Sequence, residues 1–177
     1  METHINRIPA SKGDIEQLIQ ELTSHDSNER MNAQIRLTEI GKPAVPILIE
    51  MTTKPEPNLR REAAFVLGEM HEPSAIRALI DLLVDEAFEV RWRAAESLVK
   101  MERDTLIPLF QELIRKERFG SVWFLDSVHH ILSKLDEKGY LAPPSQGVLD
   151  AFKDPVKEIA IPEAAEKALE VLTGPSK

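Results

Sequence analysis

The sequence of 177 residues contains no cysteine, a single tyrosine and two tryptophans. The absence of cysteine excludes disulfide bonds, thiol nucleophiles and thiolate metal sites, and it agrees with a cytoplasmic location. No apolar run approaches the ~20 residues that a membrane span needs, so we expect no membrane segment. The first four residues show neither a basic region nor an apolar core, and a signal peptide is not expected.

Basic residues are also outnumbered: 22 Lys and Arg stand against 30 Asp and Glu, which gives a formal net charge of −8. Such a chain has little electrostatic attraction for nucleic acid or for anionic lipid, so neither is predicted as a partner. Hydrophobic residues make up 42% of the chain, which is enough for a buried core in one folded unit.

An internal repeat organises the chain. The pattern Arg-x-x-Ala-Ala-x-x-Leu begins at Arg60 and again at Arg91, 31 residues later, and a weaker copy begins at Arg30. Each copy leads through a short connector into a second amphipathic segment at helical spacing. Two short helices cannot bury their apolar faces alone, whereas stacked pairs can. The pattern therefore predicts an all-α fold, an α-solenoid of about four helical hairpins.

The array is expected to begin with half a unit at residues 14–22, and its fourth unit is expected to begin near Phe119. After Leu135 the repeat register is lost. The predicted boundaries are a flexible tail at 1–12, the repeat array at 13–135, an irregular helical cap at 136–173 and a flexible tail at 174–177.

Residues 67–83, LGEMHEPSAIRALIDLL, together with 90–95, resemble HEAT-like repeats of the phycobilisome-lyase type. The resemblance covers about residues 28–116 and does not extend to 136–177. Proteins with this repeat include bilin lyase subunits and many adaptors. The resemblance therefore implies a binding surface rather than a particular reaction.

From this array we predict a non-enzymatic protein–protein interaction module, a small adaptor or regulatory subunit. The sequence shows no Ser/His/Asp arrangement, no Gly-rich phosphate loop and no carboxylate pair placed for acid–base work, so no catalytic residue and no cofactor is predicted. The absence of these catalytic patterns favours a protein that is not an enzyme. The alternative that the resemblance implies is a bilin lyase-type subunit or a tetrapyrrole chaperone.

One candidate binding surface is an acidic column on the second helices, which line the concave face in arrays of this kind. Carboxylates on helices about 8–10 Å apart form a line that suits a basic or helical partner segment. The alternative is an ordinary solvated face, since Glu50 and Glu112 each precede a lysine by four residues. The predicted partner-binding residues here are Glu50, Arg77, Asp81, Asp85 and Glu112.

The second candidate surface is aromatic. Phe88-x-x-x-Trp92 recurs as Phe119-x-x-x-Trp123, and on a helical wheel Trp92 lies opposite the core-facing stripe. We predict an apolar patch on the outer face that includes Trp92 and Trp123 as partner-binding residues. Such a patch is seldom left bare, so we expect the segment after residue 140 to cover it, with another chain as the alternative.

The histidines and arginines receive structural interpretations. His71-Glu72 resembles the His-Glu dyads of deoxyhypusine hydroxylase, an iron enzyme built on the same kind of repeat. Its dyads occur in several repeats and at helix starts, whereas this single dyad lies in the turn after a first helix. Asp126 and His130 are spaced to share a metal but have no identifiable third ligand. The repeated arginines Arg30, Arg60 and Arg91 are expected to bond backbone carbonyls or acidic groups of the neighbouring repeat, such as Asp85 or Glu86.

Overall fold

The computed structural model describes residues 11–115 and 121–174, which form ten α-helices joined by turns and short 3-10 segments, without a strand. The helices are α1 (Lys12–Glu21), α2 (Ser27–Ile40), α3 (Val45–Met51), α4 (Pro57–Met70), α5 (Ile76–Asp81), α6 (Phe88–Lys100), α7 (Leu106–Arg115), α8 (Val122–Glu137), α9 (Pro143–Ala151) and α10 (Lys157–Thr173). The predicted all-α fold is confirmed. The expected N-terminal tail lies largely outside the described residues, as does Phe119.

The first helices of successive hairpins stack side by side. Helix α4 packs against α2 on one side and α6 on the other, and α6 packs against α8. The second helices lie beside them, with α3 against α4 and α5 against α6 and α7. This one-dimensional order of contacts is that of an α-solenoid, as the repeat pattern predicts.

Small residues allow the first helices to approach closely. Ala63 of α4 and Ala94 of α6 are fully buried. Gly68 lies so near α6 that an added Cβ would stand 2.5 Å from Oγ of Ser97, and that hydroxyl donates to the carbonyl of Ala64 at 2.8 Å. The Ala-Ala pattern in the sequence therefore marks the seam between stacked hairpins.

Each hairpin turns at the same place in the repeat. Gly41, His71 and Glu102 follow the first helices at intervals of 30 and 31 residues, and all three have positive φ, at 71°, 50° and 53°. His71 is the left-handed residue that ends α4. Its position is thus set by the connector that leads into the second helix.

The C-terminal segment closes the end of the array instead of covering the aromatic patch. Helix α10 packs against α7 and α9, and it buries Ile161, Ala165 and Ala168. The prediction of a lid over the patch is wrong: Trp92 and Trp123 are each 48% exposed. The apolar residues of this segment are explained by its packing against α7, which is the last of the second helices in the array. Among the described residues, no helix is both long and apolar enough to cross a bilayer.

Candidate functional site

A surface pocket of about 180 Å³ lies between α6 and α8. We call it the aromatic pocket, and it is defined by Phe88, Arg91, Trp92, Trp123, Asp126 and His130. Successive first helices place these side chains together because residues four apart along a helix share a face. The structure thus brings together the two predicted tryptophans, which are the only tryptophans in the chain.

The rings of the aromatic pocket contact one another but remain open to solvent. Trp92 lies 6.3 Å from Phe88 and 4.8 Å from the imidazole of His130, measured between ring centroids. Phe88 is 65% exposed. A cluster of large, half-exposed aromatic side chains is the composition found at the centre of protein-binding surfaces.

A hydrogen-bonded pair fixes one wall of the aromatic pocket. Nε2 of His130 lies 2.8 Å from Oε1 of Glu96 on α6, which holds the imidazole against Trp92. The adjacent His129 points elsewhere, with its ring 5.3 Å from Phe152. The imidazole of His130 is 24% exposed, so a group bound in the aromatic pocket can contact it. The repeat pattern alone did not predict this pair, although Glu96 and His130 are polar residues on neighbouring first helices.

The repeated arginines bond backbone carbonyls, as expected from the sequence, and these carbonyls lie in the loops between hairpins. Nη1 of Arg60 donates to the carbonyls of Lys54 and Pro55 at 2.8 and 2.7 Å. Arg91 repeats this arrangement with the carbonyls of Asp85 and Glu86 at 2.7 and 3.0 Å.

Arg60 and Arg91 differ in what the remaining edge of the guanidinium meets. Nε and Nη2 of Arg60 donate to the two carboxylate oxygens of Asp85. Arg91 instead lies with its guanidinium carbon 4.4 Å from the centroid of the Trp123 ring. In residues 11–115 and 121–174, Nε and Nη2 of Arg91 meet no acceptor.

Asp85 is held in its ionised form. Burial alone would raise the pKa of this carboxyl, but hydrogen bonds from Arg60 and from the amide of Ala87, with the positive charges of Arg60 and Arg91, outweigh burial. The pKa of Asp85 therefore lies below its usual value. The same hydrogen bond raises the pKa of Arg60.

The predicted acidic column is interrupted by cations. Glu112 is only 4% exposed, and it is enclosed by Arg77 and by Arg115, whose Nη1 lies 2.9 Å from its carboxylate. Arg77 also lies 3.4 Å from Asp81, and Lys54 lies 2.6 Å from Glu50. The expectation of an open line of carboxylates on the second helices is therefore wrong at Glu112. Binding of a partner by this surface stays a prediction.

Comparison with known proteins identifies the repeat. Residues 45–122 match the family of HEAT repeats. That segment of the chain is therefore similar to HEAT repeats. The chain also resembles, over 89% of its length, 99% of a chain in the solved complex of CpcE and CpcF of phycocyanin lyase from Nostoc sp. PCC7120, with a TM-score of 0.59 and 20% identity. The predicted resemblance to HEAT-like repeats is confirmed, and at this identity the likeness establishes the fold.

Two curated relatives are enzymes. The chain is 34% identical over 91 residues to deoxyhypusine hydroxylase of Schizosaccharomyces pombe (strain 972 / ATCC 24843), covering 50% of this chain and 29% of the relative. It is 33% identical over 109 residues to the deoxyhypusine hydroxylase of Candida albicans (strain SC5314 / ATCC MYA-2876), covering 59% and 34%. The chain thus spans about a third of each relative's length. The predictions of a non-enzymatic adaptor and of a chain that is not an enzyme are wrong on this finding.

The described residues do not fit an iron site made of His-Glu dyads. His71 is an exposed turn residue whose Nδ1 lies 3.1 Å from the carbonyl of Glu69, and Glu72 lies 3.8 Å from Lys42. Helices α2, α4 and α6 contain no histidine. Among the described residues there is no group of three side chains placed to hold a metal ion.

Proposed function

We propose that this protein is the substrate-binding component of an enzyme that acts on another protein, and that the aromatic pocket receives a side chain of that protein. The observation that carries the proposal is the pair of half-exposed tryptophans on neighbouring first helices. Tryptophan is the residue type most enriched among side chains that dominate binding energy. A volume of about 180 Å³ suits a single side chain rather than a large cofactor.

Two further features support an enzymatic setting. The curated relatives that match part of this chain are deoxyhypusine hydroxylases, which are enzymes. His130 lines the aromatic pocket, and Glu96 holds its imidazole from α6, so a side chain that enters the pocket can contact His130. In this proposal the pair orients the bound side chain by hydrogen bonding, and the array fixes the approach of the protein that carries it.

Site-specific photo-crosslinking in the host cell tests this proposal. A benzophenone amino acid is placed at Trp92, and a matched probe is placed at Met31, which occupies the same repeat position two units earlier and is 54% exposed. We expect one protein to be captured from position 92 and not from position 31. In cells carrying Trp92→Ala and Trp123→Ala, mass spectrometry should show loss of a covalent modification on the captured protein.

Two outcomes would contradict the proposal. Equal capture of the same proteins from positions 31 and 92 would mean that the pocket has no selectivity. A captured protein whose modification state is the same in parent and double-variant cells would mean that binding at the pocket serves no enzymatic step.

A further inference from the structure

We infer that the aromatic pocket binds a carboxylate side chain of the protein partner through the Nε–Nη2 edge of Arg91. The inference rests on the proposed function, because it names the chemistry of the partner at the same site. It starts from a comparison of Arg91 with its counterpart one repeat earlier, Arg60.

Arg60 and Arg91 make equivalent contacts with backbone carbonyls, but among the described residues only Arg60 is also paired with a carboxylate. Arg60 donates through Nη1 to two loop carbonyls and through Nε and Nη2 to Asp85, at 2.6 and 2.7 Å. Nη1 of Arg91 donates to the two equivalent carbonyls one repeat later, those of Asp85 and Glu86. Thirty-one residues after Asp85, however, the sequence has Lys116. At the repeat position of Asp85, the next unit therefore has a lysine in its sequence, and within residues 11–115 and 121–174 the Nε–Nη2 edge of Arg91 meets no carboxylate.

The surroundings of Arg91 prepare its edge for a planar anion. The face of the guanidinium lies over Trp123, and Phe88 is 5.7 Å away. Stacking and the carbonyl contacts fix the orientation of the group, so little side-chain freedom is lost when a ligand binds. A carboxylate matches the two parallel donors, as Asp85 does on Arg60. The exposed indole rings then pack against apolar side chains that flank the acidic residue.

A cationic ligand is the rival occupant, since Asp126 also lines the aromatic pocket. It is disfavoured because the guanidinium of Arg91 already occupies the face of Trp123 and repels a second cation. Asp126 affects the affinity for the two ligands in opposite directions, because its negative charge repels a bound carboxylate and attracts a bound amine.

Capped tripeptides distinguish these ligands. The probes are acetyl-Leu-Asp-Leu-amide, its Asn isostere and its Lys counterpart, titrated into the full chain. Tryptophan fluorescence reports on the pocket alone, because both tryptophans of the chain lie there. We expect a saturable change with the Asp peptide and affinity about tenfold lower for the Asn peptide, the loss of one charge-assisted pair.

Variants assign the effect to the edge of Arg91. Arg91→Lys keeps the charge but removes the two parallel donors, so it should weaken the Asp peptide about tenfold. The matched variant Asp126→Asn should bind the Asp peptide as tightly as the parent or more tightly. Thermal melting of each variant checks folding. If Arg91→Lys does not fold, the contrast between Asp and Asn peptides on the parent protein decides.

Three results would overturn the inference. They are tighter binding of the Lys peptide than of the Asp peptide, equal binding of the Asp and Asn peptides, and no saturable change with any peptide. Each leaves the crosslinking result intact, so a captured and modified partner would keep the proposed function while rejecting carboxylate recognition. Failure of the crosslinking experiment alone would leave a carboxylate pocket without an enzymatic role.

Discussion

Arg60 and Asp85 join two neighbouring repeats through a two-point ion pair. The distances are 2.6 and 2.7 Å, and the side chains are 14% and 8% exposed. Asp85 also accepts the backbone N–H of Ala87 at 2.9 Å, one residue before α6 begins. One carboxylate therefore ties α4 to the loop that positions the next first helix.

Replacement of Asp85 by Asn should lower the free energy of unfolding by about 3 kcal/mol, because a largely buried guanidinium loses its counter-charge. Urea denaturation measures the change. The matched control is Asp150→Asn, which makes the same exchange in an exposed pair with Lys153 and should leave the midpoint unshifted. A D85N midpoint equal to that of the parent would show that the pair does not stabilise the stack.

The acid stability of the protein should depend on the same carboxylate. The folded-state pKa of Asp85 lies below the usual value of 3.8, so its stabilisation is complete above that value and is lost as pH falls through the lower, folded pKa. Between neutral pH and pH values below 3.8, the parent should therefore lose more stability than D85N. Urea midpoints across this range give the comparison, and parallel curves for the two proteins would argue against it.

A single methyl group added at Gly68, where α4 contacts α6, should destabilise the fold. Gly68→Ala would place its Cβ 2.5 Å from Oγ of Ser97 and 2.9 Å from the Cα of the same residue, so we expect a loss of about 1–3 kcal/mol. Gly147→Ala in α9 is the control. It meets nothing within 4 Å and should gain about 0.5–1 kcal/mol from helix propensity. Thermal melts of equal midpoint for the two variants would refute the close contact.

The cap should be separable from the aromatic pocket. Ala165→Glu places a charge at a fully buried position of α10, the helix that packs against α7 and α9, so it should expose apolar surface there and increase binding of a hydrophobic dye. Tryptophan emission of the folded protein should not shift, because neither tryptophan lies under α10. Lys167→Glu introduces the same residue on the exposed side of α10 and should leave dye binding unchanged. A red shift with Ala165→Glu would restore the idea of a C-terminal lid.

The fold was accessible from the sequence because the repeat imposes one constraint many times. Alanines that recur at 31-residue spacing indicate a close contact between stacked helices, and the structure buries these alanines. The environment of Glu112 was not accessible. On its own helix it lies opposite the apolar stripe, yet Arg77 of α5 encloses it from the neighbouring repeat. A helical wheel contains no information about such a neighbour.

The aromatic pocket was predicted in part for the same reason. The recurrence of Trp92 as Trp123 indicated an exposed patch, which is a property of one helix face. The position of Arg91 over Trp123 and the pairing of His130 with Glu96 depend on the offset between α6 and α8. That offset comes from packing across the seam, so periodicity alone could not supply it.

The left-handed connectors make the effect of glycine depend strongly on position. Gly41 already occupies the first connector, whereas His71 has a φ of 50° in the second, a conformation that costs a side chain with a Cβ about 1 kcal/mol. His71→Gly should therefore raise the melting midpoint, and an unchanged or lower midpoint would contradict this. His71 lies three positions after Gly68. Within that short distance, adding a side chain at position 68 is expected to destabilise the fold, whereas removing one at position 71 is expected to stabilise it.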